Sequence, residues 1–168
     1  LPSDEKILEK VGLHERVGKK VIVEPKYDGF RSQIHVWKDK GKVNVAIFSR
    51  SLENTTAMFP DLVAAIEKIN VKSAILDGEA IGYNPQNKKF LPFQETVSRK
   101  RKYGIEEAVK KFPLKLFLFD ILYKDGSNLL KLPFFKRRKI LVDTVGKLDN
   151  VVEVARQDTV ESAEVIRN

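Results

Sequence analysis

The sequence predicts an α+β domain, antiparallel sheets flanked by helices, and three features predict it. Phe30, Ser32, Ile34 and Val36 alternate with Arg31, Gln33, His35 and Trp37, the two-residue period of a strand with one buried face. Lys38 to Gly41 supplies a turn, and Val43, Val45 and Ile47 a returning strand, so neighbouring strands run antiparallel. Leu62, Ala65, Ile66 and Ile69 instead recur at helical spacing after a Phe59-Pro60-Asp61 opening. Strands joined by tight turns, with helices interspersed, argue against a doubly wound parallel sheet.

The remaining elements follow in chain order. Leu1 to Glu15 reads as a helix or arm, with Asp4 and Glu5 suited to a first turn. Val21, Ile22 and Val23 form a short β-prone run leading to Glu24 and Lys26, and Asp28-Gly29 is a turn pair. Ser49 to Thr56 is polar and reads as a loop. Ser73 to Tyr83 is a strand with Asn84 to Lys89 as its turn, and Leu114 to Tyr123 is apolar enough for a buried strand. Pro133 opens a basic helix running to about Lys147; Val151 to Ala155 is extended; a last helix starts at Thr159. No internal repeat or interdomain linker interrupts the chain, so residues 1–168 read as one domain. A helical pattern without a cap signal at Asn168 suggests a domain incomplete at its C-terminus.

Composition narrows the function classes. No stretch approaches the roughly 20 apolar residues of a membrane-spanning helix, and no leader precedes the fold, so an intracellular protein is expected. The absence of cysteine excludes disulfides and thiolate metal sites, and two histidines, His14 and His35, are too few for a histidine-built zinc centre. The formal net charge of +8 favours polyphosphate or nucleic-acid partners.

Six segments could carry chemistry. Lys26 stands at a strand end before Asp28-Gly29, a placement that suits either a solvated lysine or an amine projecting into a cleft. To attack phosphorus that amine must be neutral, against an ordinary pKa of about 10.4, which burial, a neighbouring cation or a metal would lower. Asp77 and Glu79, two residues apart on a strand, share a face; between apolar neighbours they need a cation, a metal or hydrogen bonds, unless the strand is an exposed edge. Phe117, Phe119 and Tyr123 lie on one face of a strand opposite Asp120, as core rings or as a platform for a purine base. Ser49-Arg50-Ser51, Arg99-Lys100-Arg101-Lys102 and Lys136 to Lys139 are basic groups, each either a solvated face or a phosphate contact. No glycine-rich loop of the G-x-x-x-x-G-K type is present.

In order and spacing, Glu24-x-Lys26-Tyr27-Asp28-Gly29-x-Arg31, Ser49-Arg50-Ser51-x-Glu53, Asp77-Gly78-Glu79 and Phe117-x-Phe119-Asp120-x-Leu122-Tyr123 resemble the motifs of covalent nucleotidyltransferases. Thr55-Thr56-x-Met58-Phe59-Pro60-Asp61 and Pro92-Phe93-Gln94 with Arg99-Lys100-Arg101-Lys102 resemble the archaeal and eukaryotic ATP-dependent DNA ligases, specifically their adenylation domain. The resemblance runs from about Lys19 onward and implies a nucleotidyltransferase (ATP-grasp-like) fold. It implies that Lys26 forms a phosphoramide bond to AMP taken from ATP, with release of pyrophosphate. Glu24 and Arg31 would hold the nucleotide through adenine and ribose, and Phe119 would stack on adenine. Glu79 would contact the ribose or support Mg²⁺. Arg50 would bind the ribose-phosphate region or the 5′-phosphate of a nick, and Arg99 and Arg101 would contact DNA. The implied partners are ATP and nicked double-stranded DNA, without a membrane; any sliding-clamp contact would lie in regions outside this chain.

Pro25 departs from the pattern, standing where the related ligases carry an aromatic or apolar residue with a backbone N–H. The family's later E-G-x-x-x-K and paired-lysine motifs, its N-terminal DNA-binding domain and its C-terminal OB-fold domain fall outside the 168 residues. An adenylation-domain fragment unable to ligate alone is the expectation. Two alternatives remain open: an RNA ligase or mRNA-capping guanylyltransferase, and a non-catalytic DNA-binding module.

Overall fold

A computed structural model of the chain describes residues 21–160 except 147 and 149. The expected N-terminal helix or arm therefore lies outside the described residues. The chain divides into two units, Leu1–Lys26 with Ala155–Asn168, and Tyr27–Val154.

In the first unit, β1 (Val21–Val23) pairs antiparallel with β9 (Asp158–Val160), Ile22 opposite Thr159. This corrects the helix expected from Thr159. Thr159 and Val160 are β-branched and favour an extended backbone once a partner strand is present.

The second unit is a seven-stranded sheet. Its main path runs β3 (Lys42–Phe48), β2 (Phe30–Asp39), β4 (Ser73–Asn84), β6 (Leu114–Lys124), β7 (Ser127–Asn128). β5 (Lys89–Phe90) adds to β4, and β8 (Val152–Val154) adds to β6 as the one parallel pair among the described strands. Two hairpins turn on pairs of residues with positive φ, Lys40 with Gly41 and Asp125 with Gly126. Such pairs match the right-handed twist of the strands they join. The Asp125 carboxylate also accepts from the backbone N–H groups of Lys72 and Ser73, at 2.8 and 2.9 Å, fastening this turn to the start of β4.

The helices are α1 (Pro60–Ile66), α2 (Phe93–Val97), α3 (Ile105–Lys111) and α4 (Phe134–Val145). Pro60 occupies the first turn of α1, where its missing N–H costs nothing. Pro133 caps α4, which ends before Gly146 at φ +58°. α1 and α4 stand where helices were expected after Pro60 and Pro133, whereas α2 and α3, of five and seven residues, carry no helical period long enough to read from the sequence.

The core forms where apolar positions of the two periodicities meet. Ile34 and Val36 of β2, Leu76 of β4, and Leu116, Leu118 and Ile121 of β6 bury with Leu62 and Ile66 of α1 and Leu141 of α4. At roughly 1.5–3 kcal/mol for each large apolar side chain removed from water, this layer is the main source of stability. It also fixes register, because a one-residue slip would turn every core side chain outward.

Candidate nucleotide-binding site

Burying one side of β2, β4 and β6 leaves alternate residues for the other. On β2 these include Arg31, and on β4 Asp77 and Glu79. The β2–β4 register sets Arg31 directly opposite Glu79 and Gln33 opposite Asp77. Three charged side chains from two separate motifs therefore meet. Arg31 Nε donates to Asp77 Oδ1 at 3.1 Å, and its Nη2 pairs with Asp77 Oδ2, a two-pronged grip that only a guanidinium offers. The Asp77 side chain is 4% exposed and that of Arg31 51%. The buried acid thus holds one edge of a guanidinium still open to water. Hydrogen bonding and charge from Asp77, and more weakly charge from Glu79, raise Arg31 above its ordinary pKa. Of the cation, metal or hydrogen bonds that Asp77 was expected to need, the structure supplies a cation, the Arg31 guanidinium.

Glu79 is half-buried, and its Oε1 accepts from the backbone N–H of Gly29 at 3.0 Å. The identity of Gly29 follows from the same close approach. A Cβ there would stand 2.2 Å from the Ala80 carbonyl oxygen and 2.9 Å from Ile81 Cγ1, so only hydrogen fits. Gly78 is enclosed in the same way, with the Phe117 carbonyl oxygen 2.7 Å from a built Cβ. The glycines of Asp28-Gly29 and Asp77-Gly78-Glu79 thus let adjacent backbones approach, Gly78 from within β4.

The aromatic run behaves differently from the expectation of strict alternation. The β4–β6 register shifts between Asp77 and Gly78, which pair with Asp120 and Leu118 and leave Phe119 without a cross-strand partner. Phe119 is half-buried at this bulge, and Asp120 is not simply opposite Phe117. Asp120 binds Arg137 of α4 in a bidentate pair at 2.9 and 2.8 Å, while Arg137 Nη1 also donates to the Leu132 carbonyl. The ring contact of this strand belongs to Phe117, which lies flat on Tyr27 with centroids 4.3 Å apart and planes 11° from parallel. Phe90 meets Phe117 edge-on at 5.7 Å.

The basic residues divide into two kinds. Arg50 is exposed at the turn after β3, where Leu52 N donates to the Ser49 carbonyl and the Ser49 and Ser51 hydroxyls are 3.0 Å apart. Arg101 is exposed too, its Nε donating to the Ser98 carbonyl at 2.7 Å. Lys100 reaches Glu53 at 2.8 Å, linking the Arg50 turn to the Arg101 segment, and this cation lowers the Glu53 pKa from its ordinary value. Arg99, expected to contact DNA, is fully buried. It pairs with Asp61, donates to the Met58 carbonyl at 2.9 Å and lies over the Phe59 ring. Its charge is engaged inside the fold and is not presented to a phosphate backbone.

Lys26 and Glu24 belong to the first unit. Both are exposed, and Glu24 Oε1 accepts from Gln157 Nε2 at 3.3 Å. Among the described residues no group of three or more His, Asp or Glu is placed to hold a metal. No helix among them is long and apolar enough to cross a membrane.

The antiparallel sheet on which Arg31, Asp77 and Glu79 meet has the nucleotidyltransferase fold, as comparison with solved structures shows. The ligase domain of M. tuberculosis LigD superimposes with a TM-score of 0.57 at 26% identity, covering 81% of this chain and 40% of that one. A mycobacterial DNA ligase D complexed with ATP and MES gives 0.56 at 25%, with the same coverage. Residues 4–168 match the ATP dependent DNA ligase domain, and the chain belongs to that family. A probable DNA ligase of Dictyoglomus turgidum is 47% identical over 152 residues, which are 84% of this chain and 25% of that protein. The DNA ligase of Saccharolobus solfataricus is 37% identical over 169 residues, all of this chain and 26% of that protein. The chain spans about a quarter of the length of the curated relatives it matches.

Proposed function

We propose that the protein containing this chain is an ATP-dependent DNA ligase and that Lys26 is its nucleophile. The neutral Lys26 amine attacks the α-phosphorus of ATP. An N–P bond forms, the bond to the β-phosphate oxygen breaks, pyrophosphate departs, and the amine gives up its proton. AMP then passes to the 5′-phosphate of nicked DNA and leaves when the 3′-hydroxyl closes the phosphodiester. The observation that supports this reading best is the Arg31–Glu79 juxtaposition, with Asp77 gripping Arg31, on the strands that follow Lys26-x-Asp28-Gly29.

In this reading Arg31 and Glu79 offer a donor and an acceptor to the ribose hydroxyls, Phe119 stacks on adenine, and Glu24 serves the adenine edge. Arg50 and Arg101 are the exposed cations for the nicked strand, and Arg99 supports their segment from within. Glu79 would hold Mg²⁺, which suits a cation that takes one or two carboxylates and completes its shell with phosphate oxygens. The ion would neutralise phosphate charge during transfer. Any clamp contact belongs to regions outside this chain.

The test is intact mass of the complete protein after incubation with ATP and Mg²⁺. Wild type should gain one AMP and Lys26→Ala none; an equal gain by both excludes Lys26. Sealing of nicked DNA in preference to nicked RNA, and labelling by ATP in preference to GTP, separates this reading from RNA ligases and capping enzymes.

A further inference from the structure

The segment following Lys26 is fastened at two points that no sequence motif announced. Tyr27 lies flat on Phe117, and two residues on, Gly29 N donates to Glu79 Oε1. Phe117 is itself immobilised: it is 6% exposed, meets Phe90 edge-on and has Lys115 Nζ 5.7 Å above its ring. Lys115 is in turn held by Glu153 at 2.6 Å. A stacked pair is directional, fixing ring tilt as well as distance. Tyr27 is joined to Lys26 by one rigid planar peptide, so fixing its backbone limits the directions from which the Lys26 side chain can leave the chain.

We infer that Tyr27, through its stack on Phe117, is a positioning residue for the Lys26 amine. The inference rests on Lys26 being the nucleophile. The stack holds the downstream end of the lysine's backbone, and the Gly29–Glu79 bond holds it again two residues later. Asp28 is left as the single residue between the anchors. The consequence falls on the geometry of attack, where a misplacement of about 1 Å costs up to about 100-fold in rate. Phenylalanine preserves the stacking surface; leucine fills the space without a flat face.

The experiment measures single-turnover AMP transfer to the complete protein across ATP concentrations, for wild type, Tyr27→Phe, Tyr27→Leu, Phe117→Leu and Lys26→Ala. Circular dichroism melts accompany each variant. Tyr27→Leu and Phe117→Leu should each lose roughly 10- to 100-fold in the rate at saturating ATP. Their half-saturating ATP concentration should change less than about threefold, and Tyr27→Phe should stay within about threefold of wild type. Loss confined to ATP affinity would make the ring pair a base-binding element and overturn the inference. So would equal loss in Tyr27→Phe, or a loss in the leucine variants matched by a collapse in melting temperature. AMP gain by Lys26→Ala would overturn the assignment of the nucleophile instead, so the two failures are distinguishable.

Discussion

Replacing Arg99 by methionine separates a DNA contact from a structural support. Methionine keeps much of the side-chain volume and removes the guanidinium, which is fully buried. Two groups then lose their partner, the Met58 carbonyl and the Asp61 carboxylate, whose side chain is 18% exposed. Leaving a buried neutral acceptor unsatisfied costs about 1 kcal/mol or more. Orphaning one member of a buried ion pair costs about 3–5 kcal/mol; the partial exposure of Asp61 puts it at the lower end. A total of about 4 kcal/mol corresponds to a fall of roughly 8–16 °C in melting temperature for a chain of this size. Thermal unfolding by circular dichroism measures it. Arg99→Met combined with Asp61→Leu should recover more than half of the loss, because no buried charge is then left alone. An unchanged melting temperature, with weaker and less salt-sensitive DNA binding by the complete protein, would refute this account and restore Arg99 as a phosphate contact.

Three further outcomes are expected. Gly29→Ala forces a Cβ against the Ala80 carbonyl, so AMP transfer by the complete protein should fall at least tenfold as the strands part and the Gly29–Glu79 bond lengthens; single-turnover labelling reads it. Asp120→Ala leaves Arg137 without its bidentate acceptor between β6 and α4, and should lower stability by about 2–4 kcal/mol in urea titration, since both side chains are only 16% exposed. Burial lowers the His35 pKa below its ordinary 6.5. The unfolded chain therefore takes up the proton first as pH falls, so stability is lost as pH drops through about 6.5 and levels off below the folded-state pKa. His35→Gln should flatten that slope, and an NMR titration of the imidazole should have its midpoint below 6.5.

The parts of the fold that were legible in the sequence are those written in local period. The alternation from Phe30 to Val36, the turn at Lys40-Gly41 and the helix openings at Pro60 and Pro133 needed only neighbours to be read. Partnerships set by register were not legible. Arg31 and Asp77 are 46 residues apart, and only the pairing of β2 with β4 brings them together. Arg99 misled because it sits in a four-base run, where a solvated guanidinium and a buried one look alike. Thr159 read as the start of a helix because Glu161-Ser162-Ala163-Glu164 follows, and its β partner, Ile22, lies at the other end of the chain.

The bulge at Phe119 has a consequence for what this strand tolerates. Leu118 and Ile121 both face the core although three positions separate them, and the unpaired residue between makes that spacing workable. Removing Phe119 alone would leave Leu118 beside Gly78 and Asp120 beside Asp77 as consecutive pairs, so both halves of β6 would keep their register against β4. The extra residue therefore serves to present the Phe119 ring, not to hold the strand in phase. A strand shortened there should still fold, and what it should lose is whatever the ring touches.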